Sequence, residues 1–194
     1  MRMVIASNNA KKRREIVAIL SDLGIEVVSA DATAFVYVDE DGETFAENAA
    51  KKAEAFAYAN KLPALADDSG LCVDALDGDP GVFSSRYAGE HASDADNNDK
   101  LLTEMKPAED RSAYFICALH LAFPNEQKPI TAQGRVDGVI MDSLDGSEGF
   151  GYDPLFYSTE LEKRFAHATA EEKASVSHRG RALRMMAEAM KSVV

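Results

Sequence analysis

The chain has 194 residues, 46% of them hydrophobic and 28% charged, and a formal net charge of −12 at pH 7. That length suits one domain, or two closely packed lobes, with enough chain to bury a real core, and the composition is that of an ordinary globular protein. The acidic balance argues against a nucleic-acid partner, whose phosphates would be repelled, and any phosphate ligand would need local cations or a metal. Two cysteines, Cys72 and Cys117, are too few for a disulfide framework and lack metal-ligand spacing. Both lie in apolar runs and read as reduced core thiols. The apolar stretch Met3–Ala6 is too short for a signal peptide. The longest apolar-rich run, Ala113–Phe123, contains His120 and is too short to span a bilayer. No membrane partner and a cytoplasmic location are expected.

Met3–Ala6 reads as a short buried strand, followed by helix N-cap candidates at Ser7, Asn8 and Asn9. Ile16, Leu20 and Leu23 recur at helical spacing and predict an amphipathic helix ending near Gly24. Ile25–Val28 predicts a second strand, so the chain opens as α/β. Residues 39–43, "DEDGE", form an acidic loop. Thr44–Asn60 predicts a strong helix with an apolar stripe of Phe45, Ala49, Ala53, Phe56 and Ala57, and with Lys52 at its edge. Leu62–Ala66 and Leu71–Leu76 read as two strands, and 77–89 as a long Gly-, Asp- and Ser-rich loop. A helix around Asp94–Met105 should bury Leu101, Leu102 and Met105. Ser112–Phe123 alternates apolar residues on one face, and Ile130–Ile140 returns as its hairpin partner, a block distinct from the N-terminal part. Residues 146–154 are a glycine-rich loop. A last helix follows Ser177, with Leu183, Met186, Ala187 and Met190 on one side.

Five places could carry chemistry. "SNNAKK" at 7–12 joins a strand to a helix, and a helix start offers N–H groups and a favourable dipole to an anion. The alternative is a polar cap before a basic helix face. In "ADDSGL", Asp67 and Asp68 follow an apolar strand. One carboxylate there could hold Mg²⁺ while its neighbour orients a water, or the pair could make an Asx turn with Gly70 at positive φ. The acidic loop could supply a further metal ligand, and Lys52 either snorkels or meets an anion. In "GFGYDP", Phe150 could stack on a flat ligand or pack in the core. In "KASVSHRGRA", Lys173, His178 and Arg179 gather at a helix N-terminus, where cations oppose the dipole and point to an outside anion or a carbonyl acceptor.

In this order, "SNNAKK" (7–12), "TFAENAAKKA" (44–53), "ADDSGL" (66–71), "PGVFSSRYAG" (80–89), "GFGYDP" (149–154) and "SHRGRA" (177–182) resemble the inosine triphosphate pyrophosphatase family, from residue 3 to about 190. The resemblance implies a single domain over 1–194, an elongated two-lobed α/β mixed-sheet fold with flanking helices and a central active-site cleft. It implies Mg²⁺-dependent hydrolysis of deaminated purine triphosphates (ITP, dITP, XTP) to the monophosphate and pyrophosphate. Carried over by motif, Ser7, Asn8, Asn9, Ala10, Lys11 and Lys12 bind the triphosphate with help from Lys52. Asp68 is catalytic and ligates the metal with Glu40, and Asp67 and Ser69 complete that corner. Phe150 stacks on the base in a loop with Gly151, Tyr152 and Asp153, and Lys173, His178 and Arg179 contact the nucleotide. The family suggests a homodimer. At Asn8 relatives often carry glycine. Two rival readings stand beside this one: a pyrophosphatase for modified pyrimidine or ordinary triphosphates, and a non-catalytic nucleotide sensor. The adjacent carboxylates argue against the sensor, because binding alone gains little from acids crowded beside phosphates.

Overall fold

The predicted β-α-β opening is present. In the structure, a computed structural model that describes residues 2–7, 9–22, 24–29, 32–34 and 36–191, β1 (Arg2–Ile5) leads through α1 (Ala10–Asp22) to the two-residue β2 (Glu26–Val27). There follow α2 (Phe45–Asn60), β3 (Ala64–Val73), α3 (Asp94–Glu104), β4 (Ser112–Ala122), β5 (Ile130–Ile140), β6 (Phe156–Ser158), β7 (Lys163–Arg164), α4 (Ala170–Val176) and α5 (His178–Met190). The strands form one seven-stranded sheet in the order β2-β1-β3-β4-β5-β6-β7. β1 runs parallel to β2 and β3, and β6 is antiparallel to β5 and β7, so the sheet is mixed, as expected.

The chain divides into two compact units: Met1–Asp68 with Cys117–Gly134 and Arg179–Val194, and Ser69–Ile116 with Arg135–His178. In the first unit the two-residue period of the strands sorts the core into two layers. Met3, Ile5, Leu65, Cys117, Leu119 and Leu121 pack with Ile16 and Leu20 of α1 and with Ala182, Leu183, Met186 and Met190 of α5. Their neighbours Val4, Ala6, Ala64, Ala66 and Ala122 pack with Ala53, Phe56 and Ala57 of α2. Leu23, counted in the α1 stripe, lies outside the described residues. Ala187, counted in the α5 stripe, is half-buried. In the second unit Leu71, Val73, Phe115, Val136 and Phe156 pack with Leu101 and Met105 of α3 and with Phe165. The Phe156 ring sits 4.7 Å from Phe115 and 5.0 Å from Phe165.

Three expectations are corrected. Asp67–Gly70 is not a turn between two strands but the middle of one continuous strand, β3. Gly70 therefore supplies no left-handed turn, and acid-rich composition is overridden by the cations described below. The β4–β5 hairpin is not a separate block, because its Cys117–Gly134 part belongs to the first unit and its outer ends to the second. The 77–89 loop is ordered by 3₁₀ turns, one ending just before it (Asp74–Leu76) and one within it (Gly81–Arg86). Cys72 and Cys117 are buried free thiols, as expected.

α2 starts where the sequence says it should. The Thr44 hydroxyl accepts the Glu47 N–H at 3.2 Å, and the Glu47 carboxylate accepts the Thr44 N–H at 3.1 Å, a reciprocal capping box. Thr44→Ala should cost about 1 kcal/mol, seen as a lower urea midpoint with an unchanged slope.

Candidate active site

Asp67 and Asp68 are consecutive residues of β3, so their side chains leave it on opposite faces. Asp67 is 1% exposed and lies on the α1 and α5 side. Its Oδ2 accepts hydrogen bonds from Arg179 Nη2 at 3.1 Å and Nε at 3.3 Å, and the Lys12 ammonium stands 3.5 Å from the same oxygen. Arg179 also pairs through Nη1 with Glu15, three residues along α1 from Lys12. Burial works against ionising Asp67, but Lys12, Arg179 and Lys52 outweigh it and hold the carboxyl well below the usual range. Burial, with Asp67 nearby, pushes the Cys117 thiol up to about 12.

Asp68 is 6% exposed and faces α2. Its Oδ2 accepts from Asn48 Nδ2 at 3.1 Å, and its Oδ1 lies 3.7 Å from the Lys52 ammonium. Lys52 donates to Glu40 at 2.8 Å, so Glu40 and Asp68 meet on one buried cation. Asn48 accepts the Gly42 N–H at 2.8 Å, which ties the acidic loop to the same corner. Gly42 has to be glycine, because a Cβ there would stand 2.7 Å from that amide oxygen. Burial raises the Asp68 pKa more than Lys52 and Lys12 lower it, and Glu40 adds to the rise. For Lys52, burial is outweighed by Asp68, Asp67 and Glu40, so its pKa is raised.

The β1–α1 corner is built from side chains. Ser7 accepts the Asn9 N–H at 3.2 Å, and Asn9 Oδ1 accepts the N–H groups of Lys11 and Lys12 at 2.9 and 3.1 Å. Asn9 thus caps α1 and occupies two of the amides expected to face an anion. Arg13 donates to the Ile5 carbonyl at 2.8 Å and fixes the corner from behind. Ala10 and Lys11 are exposed. Asn8 lies outside the described residues.

In the second unit a separate cluster holds the Gly149–Asp153 loop. Buried Asp153 accepts the Phe150 N–H at 2.8 Å and the Lys173 ammonium at 2.6 Å, and that ammonium stands 4.9 Å from the centre of the Phe150 ring. Gly149 has φ +78, and a Cβ there would lie 2.0 Å from the Asp153 carboxylate. α3 grips Gly151 at both ends: Asp94 accepts its N–H and Asn98 donates to its carbonyl, each at 2.9 Å. Tyr152 is buried, and its hydroxyl donates to the Ser84 carbonyl at 2.9 Å. His178 is buried and stacked on Phe115 at 4.9 Å and 14°. Ser69, the first residue of this unit, is half-buried.

The chain matches the model of the Ham1 family over residues 3–189. It belongs to the Ham1 family. A curated relative from Geobacter sulfurreducens, named dITP/XTP pyrophosphatase, is 52% identical over 95% of this chain and 94% of its own. One of the same name from Clostridium perfringens is 45% identical over 100% and 98%. The solved structure of the Staphylococcus aureus Ham1 protein is similar at TM-score 0.88 and 38% identity, covering 100% of both chains.

In this Ham1 chain, Lys12, Lys52, Asp67, Asp68, Glu40 and Arg179 come together in the first unit, and Phe150, Asp153 and Lys173 in the second. Two expectations change. Asp67 and Asp68 cannot share one metal and one water, because strand geometry sends them to opposite faces, and Asp67 is committed to Arg179 and Lys12. Lys173 is not at a helix N-terminus but in the last turn of α4, where a cation favours the dipole. Glu15, Asn48, Asp94 and Asn98 carry the geometry and had no sequence signal beyond lying in or near the motifs.

Asp67→Asn leaves Arg179 short of its partner and should destabilise the protein at pH 7 by roughly 3 kcal/mol. The native carboxyl titrates below its unfolded value near 3.9, so its contribution is present above that value and is lost as pH falls toward the native one. The stability gap between wild type and variant should narrow between about pH 5 and about pH 3. A gap independent of pH would assign the effect to packing alone.

Proposed function

We infer that the chain is a nucleoside triphosphate pyrophosphatase that hydrolyses deaminated purine triphosphates (dITP, ITP, XTP) to the monophosphate and pyrophosphate, with Mg²⁺. The observation that carries this reading is the convergence of Glu40 and Asp68 on one buried ammonium beside a lysine-bearing helix start. A non-catalytic sensor has no use for a pair of carboxylates placed where phosphates must go. The relatives from Geobacter sulfurreducens and Clostridium perfringens, both dITP/XTP pyrophosphatases by name, support the substrate class.

The donor set fits magnesium. Glu40 and Asp68 offer hard oxygens held close enough to share one cation, and Mg²⁺ is commonly held by one or two carboxylates together with substrate phosphates. Among the described residues no group of three or more His, Cys, Asp or Glu forms a fuller cage. Glu40 and Asp68 would hold the metal, which would supply Lewis-acid stabilisation of the charge that develops at the phosphorus. Lys12 and Lys52 neutralise phosphate charge, with Ser7 to Lys12 as the phosphate corner. Asp68, whose raised pKa brings it nearer neutrality, takes a proton from the water that attacks the α-phosphorus. The phosphorus–oxygen bond to pyrophosphate breaks as the new one forms.

The second cluster is assigned the base. The Phe150 ring, with the Lys173 ammonium 4.9 Å from its centre, is assigned to stack on the base. Asp153, Gly151 and Tyr152 hold the loop, and His178 and Lys173 supply donors suited to an oxygen at C6. A homodimer and a cytoplasmic location belong to the same reading, and no helix among the described residues is long and apolar enough to cross a membrane.

Pyrophosphate release should be measured across ITP, dITP, XTP, GTP and ATP with Mg²⁺. ITP and XTP should exceed GTP and ATP in kcat/KM, and ATP should be very poor, since a site built to hydrogen-bond one group can reject its analogue by roughly 10⁴-fold. Orthophosphate and a nucleoside diphosphate as products would refute the mechanism. Asp68→Asn should lower kcat on the order of 10²-fold or more with the fold intact, and near wild-type turnover at saturating Mg²⁺ would remove Asp68 from its role.

A further inference from the structure

Asp94 and Asn98 stand one turn apart on α3 and so share a face of that helix. Both act on one residue of the Gly149–Asp153 loop. Asp94 Oδ2 accepts the Gly151 N–H and Asn98 Nδ2 donates to the Gly151 carbonyl, each at 2.9 Å. Gly151 has φ +62, and beyond its chain neighbours no heavy atom lies within 4 Å of where its Cβ would stand. Crowding therefore does not impose this backbone state, and glycine visits positive and negative φ about equally. Phe150 and Asp153 close the turn at its ends: the Asp153 N–H donates to the Phe150 carbonyl at 3.3 Å, and the Asp153 carboxylate accepts the Phe150 N–H. Between those ends the Gly151 N–H and carbonyl are held by α3. Asn98 fills this place at a cost. It is 4% exposed, its Nδ2 also donates to the Asp94 carbonyl at 2.8 Å, and among the described residues no group donates to its buried Oδ1. A buried acceptor without a donor costs stability, and a side chain that breaks a packing rule in this way is expected where it serves a site.

We propose that Asn98, with Asp94 as its counterpart, is a positioning residue for the base: through the Gly151 backbone it sets the orientation of Phe150 before a purine arrives. This rests on the assignment of Phe150 to the base. Without Asn98 the turn samples further arrangements, and a ligand binds only the competent fraction. Affinity then falls by that fraction while the contacts of the bound state are kept.

The test is calorimetric binding of two probes with Mg²⁺ present, inosine monophosphate and inorganic pyrophosphate, together with amide hydrogen exchange of the free protein. Asn98→Leu keeps the volume and loses the donor. It should weaken inosine monophosphate about tenfold, as a fall of the competent fraction to roughly one tenth requires, and change pyrophosphate by less than about twofold. The Phe150 and Gly151 amides should exchange about tenfold faster, and those in the middle of α3 by less than about twofold. In a Phe150→Ala background the same substitution should change inosine monophosphate affinity by less than about twofold, because Asn98 acts through that ring. Should Asn98→Leu fail to fold, Asp94→Ala, at an exposed position, removes the other hold on Gly151 and takes its place with the same expectations. Equal losses on both probes, no loss on inosine monophosphate, loop amides that exchange no faster, or a loss that persists undiminished without the Phe150 ring would each overturn the proposal. Phe150→Ala protein that binds inosine monophosphate as well as wild type would overturn the base assignment beneath it.

Discussion

The first unit depends on one geometric fact: successive residues of an extended strand face opposite ways. At Asp67 and Asp68 this turns adjacent like charges into two separate ion clusters. One is fed by α1 and α5 through Lys12 and Arg179, the other by α2 through Lys52 and Asn48. The strand keeps its regular path because each carboxylate has a cation within 4 Å, and Lys12 and Lys52 each act on both acids. The pKa values of the two acids then move in opposite directions: at Asp67 burial is outweighed by Lys12, Arg179 and Lys52, whereas at Asp68 burial outweighs Lys52 and Lys12, with Glu40 adding to the rise. A neighbouring pair with divergent proton affinities is a common arrangement where one group must stay ionised and another must exchange a proton.

The second unit solves a similar problem with a buried pair of its own. Asp153 and Lys173 neutralise each other at 2.6 Å, and each has a second task. The carboxylate holds the Phe150 N–H, and the ammonium lies over the Phe150 ring. With Gly151 fixed at both its N–H and its carbonyl by α3, the loop has little freedom left. A flat aromatic surface on a loop is useful for recognition when its orientation is settled before the ligand arrives.

Much of this was legible in the sequence. The α2 helix announced itself through its cap and its Ala/Phe stripe, and β5 was read with the limits observed, because periodicity and turn chemistry are local signals. The region around Asp67 was misread for the opposite reason. Asp-Asp-Ser-Gly has turn composition, and what keeps it extended is a set of side chains far away in the chain. Asn48 lies 20 residues from Asp68, and Glu15 lies 164 from Arg179. No local pattern marks such partners. The motif resemblance located most of the site residues, yet it could not say which face each would take, and Arg179 is the clearest case.

The Asn48 amide joins the Gly42 backbone to Asp68 in a chain of hydrogen bonds that all point the same way, from amide N–H to carboxamide oxygen and from carboxamide NH₂ to carboxylate. Such a chain is polarised along its length, and each bond strengthens the next. Its strength is drawn from the negative charge at its end. Neutralising Asp68, by a proton or a cation, weakens the pull felt at Gly42, so the acidic loop senses the charge state of the carboxylate it serves. Only a side chain that accepts at one atom and donates at another can pass that signal on. Aspartate at position 48 would offer acceptors at both ends, and leucine would offer neither.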